Sequence, residues 1–202
     1  ALNLAALARE ILPDVVTIFG GPAATFLPEF FLTKYNQLDL CVLGEGEFSF
    51  LEAIETLQGG KIDLGDVQGL AMRSDGDFAP SNADTDQPVH FTAQREPIHD
   101  LDALPNPAKY FPFRHLALTR GCPGSCTFCG SPKFWGPKVR AHSAQYFVDQ
   151  MQFQLERGID FFYVSDDTFT FDRDLAMEVC DQIVKRGLRV NWAAISRVDK
   201  VD

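Results

Sequence analysis

The sequence predicts an α/β fold in two lobes joined by a connector. Three observations carry that prediction. Short β-branched and aromatic runs alternate with helical periods at both ends of the chain, the rhythm of a parallel sheet with helical crossovers. The rhythm lapses from residue 81 to 114, where Pro88, Pro97, Pro105, Pro107 and Pro112 leave no sustained period. It resumes after residue 114. The 202 residues allow one large domain or two small ones, burying roughly 70% of the unfolded surface.

Each element follows from local pattern. Leu4, Leu7, Ala8, Ile11 and Leu12 keep helical spacing until Pro13-Asp14 stops the run. VVTIF at 15–19 is a strand-type run closed by Gly20-Gly21-Pro22, and a second helical stretch lies near 28–36. DLCVL at 39–43 is the next strand, and Gly44-Glu45-Gly46-Glu47 turns it into the helix FSFLEAIETL, ended by Gly59-Gly60. VQGLAMRSDGDFAPS, from residue 67, reads as a hairpin with Asp75-Gly76 near its turn. The proline-rich stretch that follows is expected to be an extended connector, ordered by Phe91, Leu101, Leu104, Tyr110 and Phe111.

After the connector HLALTR is strand-like. Ser143 caps a helix through Arg157 with Phe147, Met151 and Leu155 on one face. DFFYVS at 160–165 is a buried-type strand ending at Asp166-Asp167. Asp172 caps a further helix carrying Leu175, Val179 and Ile183, which Gly187 ends, and LRVNWAA is a third strand. There is no solenoid-length repeat and no low-complexity tract.

Charge and composition exclude several function classes. Eighteen basic against 28 acidic residues give a net charge of −10 with no Lys/Arg stripe, so unselective nucleic-acid binding is disfavoured. With 46% apolar and 23% charged residues, wholesale disorder is excluded. No apolar run approaches the roughly 20 residues of a membrane span, and ALNLAALAREIL has neither a basic leader nor a cleavage site. The expected location is the cytoplasm. The 18 phenylalanines fall mostly in strand-like runs and read as core rather than base-stacking platforms.

The five cysteines are too few and too unevenly spaced for a disulfide framework. Cys41 and Cys180 lie on apolar faces and read as small core residues. Cys122, Cys126 and Cys129 crowd into eight residues, TRGCPGSCTFCG, with glycines at 121, 124 and 130. Three thiolates on one loop can each hold a corner of a cubane iron–sulfur cluster, with backbone N–H groups donating to the sulfides and one iron left open for substrate. Other arrangements use the same residues. Zinc would need a fourth ligand such as His115 or His142, a ferredoxin-type cluster would need Cys41 or Cys180, and the thiols could carry no ligand. Asp166-Asp167-Thr168 and Ser196-Arg197 follow the next two strands, so three successive strand ends present thiolates, carboxylates and a guanidinium to one rim. Against this, the aspartates could simply cap a turn and Arg197 could be a solvated charge.

TRGCPGSCTFCGSP, with CxxxCxxC spacing and an aromatic before the last cysteine, resembles the cluster loop of the radical S-adenosylmethionine (SAM) superfamily. DFFYVSDDTFTFDRDLAMEVCDQIVKRGLRVNWAAISRVDKVD resembles the superfamily's cobalamin-associated branch. So do VVTIFGGPAATFLPEF, LDLCVLGEGEFSFLEAI and the connector REPIHDLDALPNPAKYF. That branch includes anaerobic magnesium-protoporphyrin IX monomethyl ester cyclases and related methyltransferases.

The resemblance implies a Rossmann-like cobalamin-binding lobe joined to a partial TIM-type barrel. Residues 1–66 would be the C-terminal part of the lobe, 67–114 the hairpin and connector, and 115–202 the first βα units of the barrel. Cys122, Cys126 and Cys129 would ligate a 4Fe–4S cluster whose free iron chelates SAM, and reductive cleavage would give methionine and a 5′-deoxyadenosyl radical. Phe128 would meet the adenine, Asp166 or Asp167 the methionine amino group or ribose, and Arg197 the carboxylate. Gly20-Gly21 correspond to the glycine pair that lets backbone approach cobalamin, although the branch's DxHxxG motif is missing here. Implied partners are a small-molecule substrate, a tetrapyrrole in the cyclase case, and an electron donor such as flavodoxin or ferredoxin.

With only the last portion of one lobe and about three barrel units in view, the chain reads as an internal fragment across a domain junction. Its open sheet edges are then expected to favour self-association, against which a strictly monomeric compact particle would count. The leading reactions are cobalamin-linked methyl transfer and oxidative ring closure. The competing expectation is a non-catalytic iron–sulfur or zinc module, or an inactive fragment, with the first lobe as a docking surface.

Overall fold

The computed structural model describes residues 1–60, 63–73, 88–136 and 138–201. The chain divides into two units, Ala1–Pro97 and Ile98–Asp202.

In the first unit, helix α1 (Leu2–Ile11) leads to strand β1 (Ile18–Phe19), and Pro22 and Pro28 each start a short helix, α2 (Pro22–Phe26) and α3 (Pro28–Lys34). Proline is favoured at these positions because the first helical N–H has no partner inside the helix. The sequence pattern anticipated one helix near 28–36 and missed α2, which is too short to show a period. Strand β2 (Leu40–Val42) pairs parallel with β1, and α4 (Gly46–Gln58) follows it. Strand β3 (Leu70–Arg73) lies antiparallel between β2 and β4 (Val89–Phe91), giving the order β1-β2-β3-β4. The sheet is therefore mixed, and β4 falls inside the stretch that looked aperiodic. The expected turn at Asp75-Gly76 lies outside the described residues.

Period-two alternation explains how this sheet is covered on both faces. Leu40, Val42, Leu70 and Met72 form one core with Ala53 of α4, whereas Cys41 and Ala71 point the other way, into a core with Ala24, Leu32 and Leu38. Asp39 fixes the start of β2 against β1: it accepts from the Thr17 N–H at 2.6 Å and the Thr17 hydroxyl at 2.9 Å, and pairs with Arg9 of α1.

The second unit begins with two 3-10 turns, Leu101–Ala103 and Pro107–Lys109. The aromatics expected to order this stretch do not. Tyr110 and Phe111 are 66% and 65% exposed, and of the five residues expected to order it only Leu101 is fully buried. Polar contacts hold it instead: Asp102 meets His142 Nδ1 at 2.9 Å, the Tyr146 hydroxyl donates to the Leu104 carbonyl at 3.2 Å, and Gln154 Nε2 donates to the Phe111 carbonyl at 2.7 Å.

HLALTR forms two strands rather than one. β5 (His115–Leu116) pairs parallel with β8 (Phe161–Val164), and β6 (Thr119–Arg120) turns to pair antiparallel with β7 (Arg140–Ala141). Between β6 and β7 lies α5 (Ser131–Trp135), and α6 (Ala144–Leu155) follows β7. Helix α7 (Arg173–Lys185) and strand β9 (Asn191–Ala194) complete the unit, with parallel order β5-β8-β9. The expected caps are present: Ser143 Oγ accepts from the Tyr146 N–H at 3.1 Å, and Asp172 Oδ1 accepts from the Leu175 N–H at 3.0 Å. Phe162 and Val164 bury against Phe147, Val148 and Met151 of α6 and Val179 of α7. Leu155 is only half-buried; the fully buried residue at that end of α6 is Gln154, whose amide holds the connector. The three parallel strands do not close a barrel among the described residues.

Candidate functional site

The loops after β8 and β9 lie at one end of the parallel sheet, and Asp166 ties the chain entering β6 to that same end. The cysteine loop leaves β6, Asp166-Asp167-Thr168 follow β8, and Ser196-Arg197 follow β9. The loops are sewn to one another. The Phe169 N–H donates to the Ile195 carbonyl at 3.0 Å, the Thr170 and Ser196 hydroxyls meet, and the Ser131 hydroxyl donates to Asp167. Between them lies a cavity of about 520 Å³ lined by Gly124, Ser125, Cys126, Thr168, Arg197 and Asp199, among others.

Two glycines let the loop take this path. Gly121 adopts φ +101°, and a Cβ there would stand 2.9 Å from the Lys138 carbonyl oxygen, so a side chain is excluded by strain and by space. A Cβ on Gly124 would lie 3.3 Å from Cys122 Sγ, 3.8 Å from Cys126 Sγ and 3.3 Å from Arg197 Nη1. Two of the three thiols therefore flank one glycine. The Gly124 N–H donates to Cys122 Sγ at 3.4 Å, Thr168 Oγ1 lies 3.6 Å from the same sulfur, and Arg197 Nη1 donates to Cys126 Sγ at 3.4 Å. Cys129 joins the turn through its N–H, which donates to the Cys126 carbonyl at 3.1 Å. Phe128, between them, is 91% exposed.

The donor chemistry fits a thiolate-held cluster. Soft sulfur ligands on a glycine-bent loop with N–H donors aimed at the sulfurs are what such a cluster uses. No three ligating side chains converge as a ready-made metal site among the described residues. The histidines considered for zinc are engaged elsewhere: His142 pairs with Asp102, and His115 Nδ1 lies 3.2 Å from Ser165 Oγ with its ring stacked on Tyr163. Cys41 is fully buried in the first unit's core, where burial pushes its thiol up to about 12.

The two adjacent aspartates have different duties. Asp166 is 2% exposed and accepts three hydrogen bonds, from the Leu118 N–H at 2.7 Å and from the Thr119 N–H and hydroxyl at 3.0 and 2.8 Å. It takes the backbone donors where the chain leaves β5 for β6, which explains the split strand. Burial raises its pKa, against the lowering by these hydrogen bonds. Asp167 is exposed and faces the start of α5 through Ser131. Arg197 is gripped by Asp199, whose carboxyl is held low by that hydrogen bond. Ser131 and Asp199 were not singled out from sequence, and Thr168 was named only as the neighbour of the aspartates, because a hydroxyl there gives no periodic or spacing signal.

In the first unit Gly20 and Gly21 follow β1, as the sequence suggests. Gly21 adopts φ +92° and a Cβ there would meet nothing within 4 Å. Thr25, also unanticipated, bridges the two strand ends: its hydroxyl donates to the Gly21 carbonyl at 3.0 Å and accepts from the Gly44 N–H at 2.9 Å.

No family model matches the chain. An uncharacterized methyltransferase of Pyrococcus horikoshii is 32% identical over 98% of this chain and 43% of its own length. An anaerobic magnesium-protoporphyrin IX monomethyl ester cyclase of Rubrivivax gelatinosus is 30% identical over 96% of this chain and 36% of its own. Among solved structures, the cobalamin-dependent SAM radical enzyme OxsB, with aqua-cobalamin and SAM bound, superposes with a TM-score of 0.73 at 21% identity, over 98% of this chain and 28% of that one. The chain has the fold of the cobalamin-dependent radical SAM enzymes. A second radical SAM structure, the methyltransferase TsrM of Kitasatospora setae with cobalamin and a [4Fe-4S] cluster bound, has a TM-score of 0.66 at 17% identity, over 92% of this chain and 37% of that one. At these identities the structures show the fold alone, and this chain spans less than half the length of the curated relatives it matches. No helix among the described residues is long and apolar enough to cross a membrane.

Proposed function

We propose that this chain carries cofactor-binding elements of a cobalamin-dependent radical SAM enzyme. The observation that carries the reading is the pair of sulfurs, Cys122 and Cys126, flanking Gly124, with Gly124 and Cys126 lining the strand-end cavity. In this reading Cys122, Cys126 and Cys129 hold a 4Fe–4S cluster. When bound and reduced, that cluster supplies the electron that cleaves the sulfonium C–S bond of SAM.

The chain's own residues bind and orient. Of the two aspartates, Asp167 is the one assigned to SAM, because both oxygens of Asp166 are committed to Leu118 and Thr119. Asp166 keeps the cysteine loop and the β8 end in register. Phe128, exposed between the last two cysteines, offers its backbone and ring to the adenine. Gly20 and Gly21 offer cobalamin an approach free of side chains.

The outcome assigned is methyl transfer to a small-molecule substrate, as the name of the Pyrococcus relative suggests. Oxidative ring closure of a tetrapyrrole is the second reading, favoured by the 30% identity to the cyclase. In either case the electron comes from a small reductant protein of the flavodoxin or ferredoxin kind.

Anaerobic reconstitution with iron and sulfide, followed by EPR of the reduced protein with and without SAM, tests the proposal. A reduced-cluster signal that changes on adding SAM is expected. Stoichiometric zinc without a cluster, or a cluster signal indifferent to SAM, would overturn it.

A further inference from the structure

Arg197 divides its guanidinium between two partners. Nε and Nη2 face Asp199 Oδ1 and Oδ2 at 2.9 and 3.1 Å, and Nη1 donates to Cys126 Sγ at 3.4 Å. The two side chains are 41% and 55% exposed, so the ion pair contributes little to stability. A two-point grip does fix the plane of a guanidinium, however, and here it aims the remaining nitrogen at a sulfur. Gly124 leaves the room, since a Cβ there would come within 3.3 Å of Nη1. Cys122, by contrast, meets neutral groups, the Gly124 N–H and the Thr168 hydroxyl.

We propose that Arg197, clamped by Asp199, is a positioning residue for Cys126, and that its donation to the sulfur raises the reduction potential of the cluster held there. The inference rests on the cluster-binding reading above and assigns Arg197 to the sulfur rather than to the SAM carboxylate. Its physical basis is charge. One-electron reduction makes the cluster and its thiolates more negative, and a cationic N–H donor stabilises the more negative state.

The experiment is an EPR-monitored redox titration of the anaerobically reconstituted chain in the absence of SAM, with iron and sulfide content measured first. For Arg197→Gln the equilibrium constant for reduction is expected to fall about tenfold, a shift of about 59 mV to more negative potential for one electron. Arg197→Lys, which keeps the charge without the fork, should move the potential the same way by less. Asp199→Ala is the sharper test because two effects oppose. Losing a nearby negative charge would by itself ease reduction, whereas losing the clamp hinders it, and the proposal expects a negative shift.

An unchanged potential in Arg197→Gln with weakened SAM binding would overturn the proposal and return Arg197 to the SAM carboxylate. A positive shift in Asp199→Ala would overturn the clamp. If wild type loads no cluster, the underlying reading fails and the inference falls with it. If only Arg197→Gln fails to load, the Arg197→Lys and Asp199→Ala potentials decide.

Discussion

The strand ends of the two units are built on opposite principles. In the first unit the rim is mostly backbone: Gly20, Gly21 and Gly44, the last two bridged by the Thr25 hydroxyl. In the second the rim is crowded with side chains that bond across loops, from Asp166 to Thr119, Ser131 to Asp167 and Arg197 to Cys126. A backbone rim can accommodate a large ligand by shape and tolerates changes of side chain nearby. A side-chain rim depends on individual atoms, so single substitutions there should cost more.

The contrast breaks first at the cysteines. Replacing Cys126 or Cys122 with Ser should lower the iron retained after anaerobic reconstitution by more than about tenfold, whereas Cys180→Ser, on α7, should leave it unchanged. Equal iron in all three variants would show that the loop is not the cluster site. The next largest effect separates neighbours. Asp166→Ala would strand the buried Leu118 and Thr119 N–H groups and should destabilise the fold by about 3 kcal/mol in urea unfolding. Asp167→Ala, at an exposed position, should cost under about 0.5 kcal/mol and act instead on SAM binding.

A glycine pair then compares the rims directly. Gly121→Ala meets both a positive φ and a carbonyl at 2.9 Å, and should cost about 2–3 kcal/mol. Gly21→Ala has the positive φ, with an extended ψ that only glycine readily adopts, but open space, and should cost about 1–2 kcal/mol. Thermal unfolding of the two variants measures the difference. Equal costs would mean that close approach of the Lys138 carbonyl contributes nothing, leaving φ as the whole effect.

Much of this organisation was legible in the sequence where chemistry and period coincide. The caps Ser143 and Asp172, the helices they start and the parallel β8 and β9 follow from pattern alone. The two-residue strand β7 and the five-residue helices α2 and α5 were not legible, because they are shorter than any period that could reveal them. The split of HLALTR depends on Asp166, 46 residues beyond Arg120, and no local rule reports a carboxylate that folds back onto backbone. Nor does composition distinguish Asp166 from Asp167. Only burial separates the one that holds the loop from the one that faces outward. The connector was misjudged for the same reason: its aromatics suggested a small apolar core, but its anchors are His142, just after β7, and polar residues of α6, far along the chain.

That polar anchoring gives the smallest predicted effect, a dependence on pH confined to the second unit. His142 is 8% exposed, stacked on Tyr146 with ring centroids 4.2 Å apart, and faces Asp102, with Arg120 and Asp100 as the other charges acting on it. Burial lowers its pKa below the ordinary value of about 6.5, more than Asp102 raises it. The folded state therefore favours the neutral ring, and the stability this confers is present above the unfolded pKa and lost as pH falls through the folded one. Asp102, held low mainly by its hydrogen bonds from Ser143 and His142 against the opposing effect of burial, loses its contribution further down, so both groups weaken the connector's attachment in acid. Urea midpoints should fall between pH 7.5 and 5.5 in wild type and stay nearly level in His142→Gln, whose amide can still meet Asp102 but takes up no proton. A variant that loses stability as steeply as wild type would place the acid sensitivity elsewhere, and would leave the Asp102–His142 contact as a fixed hydrogen bond without a titrating partner.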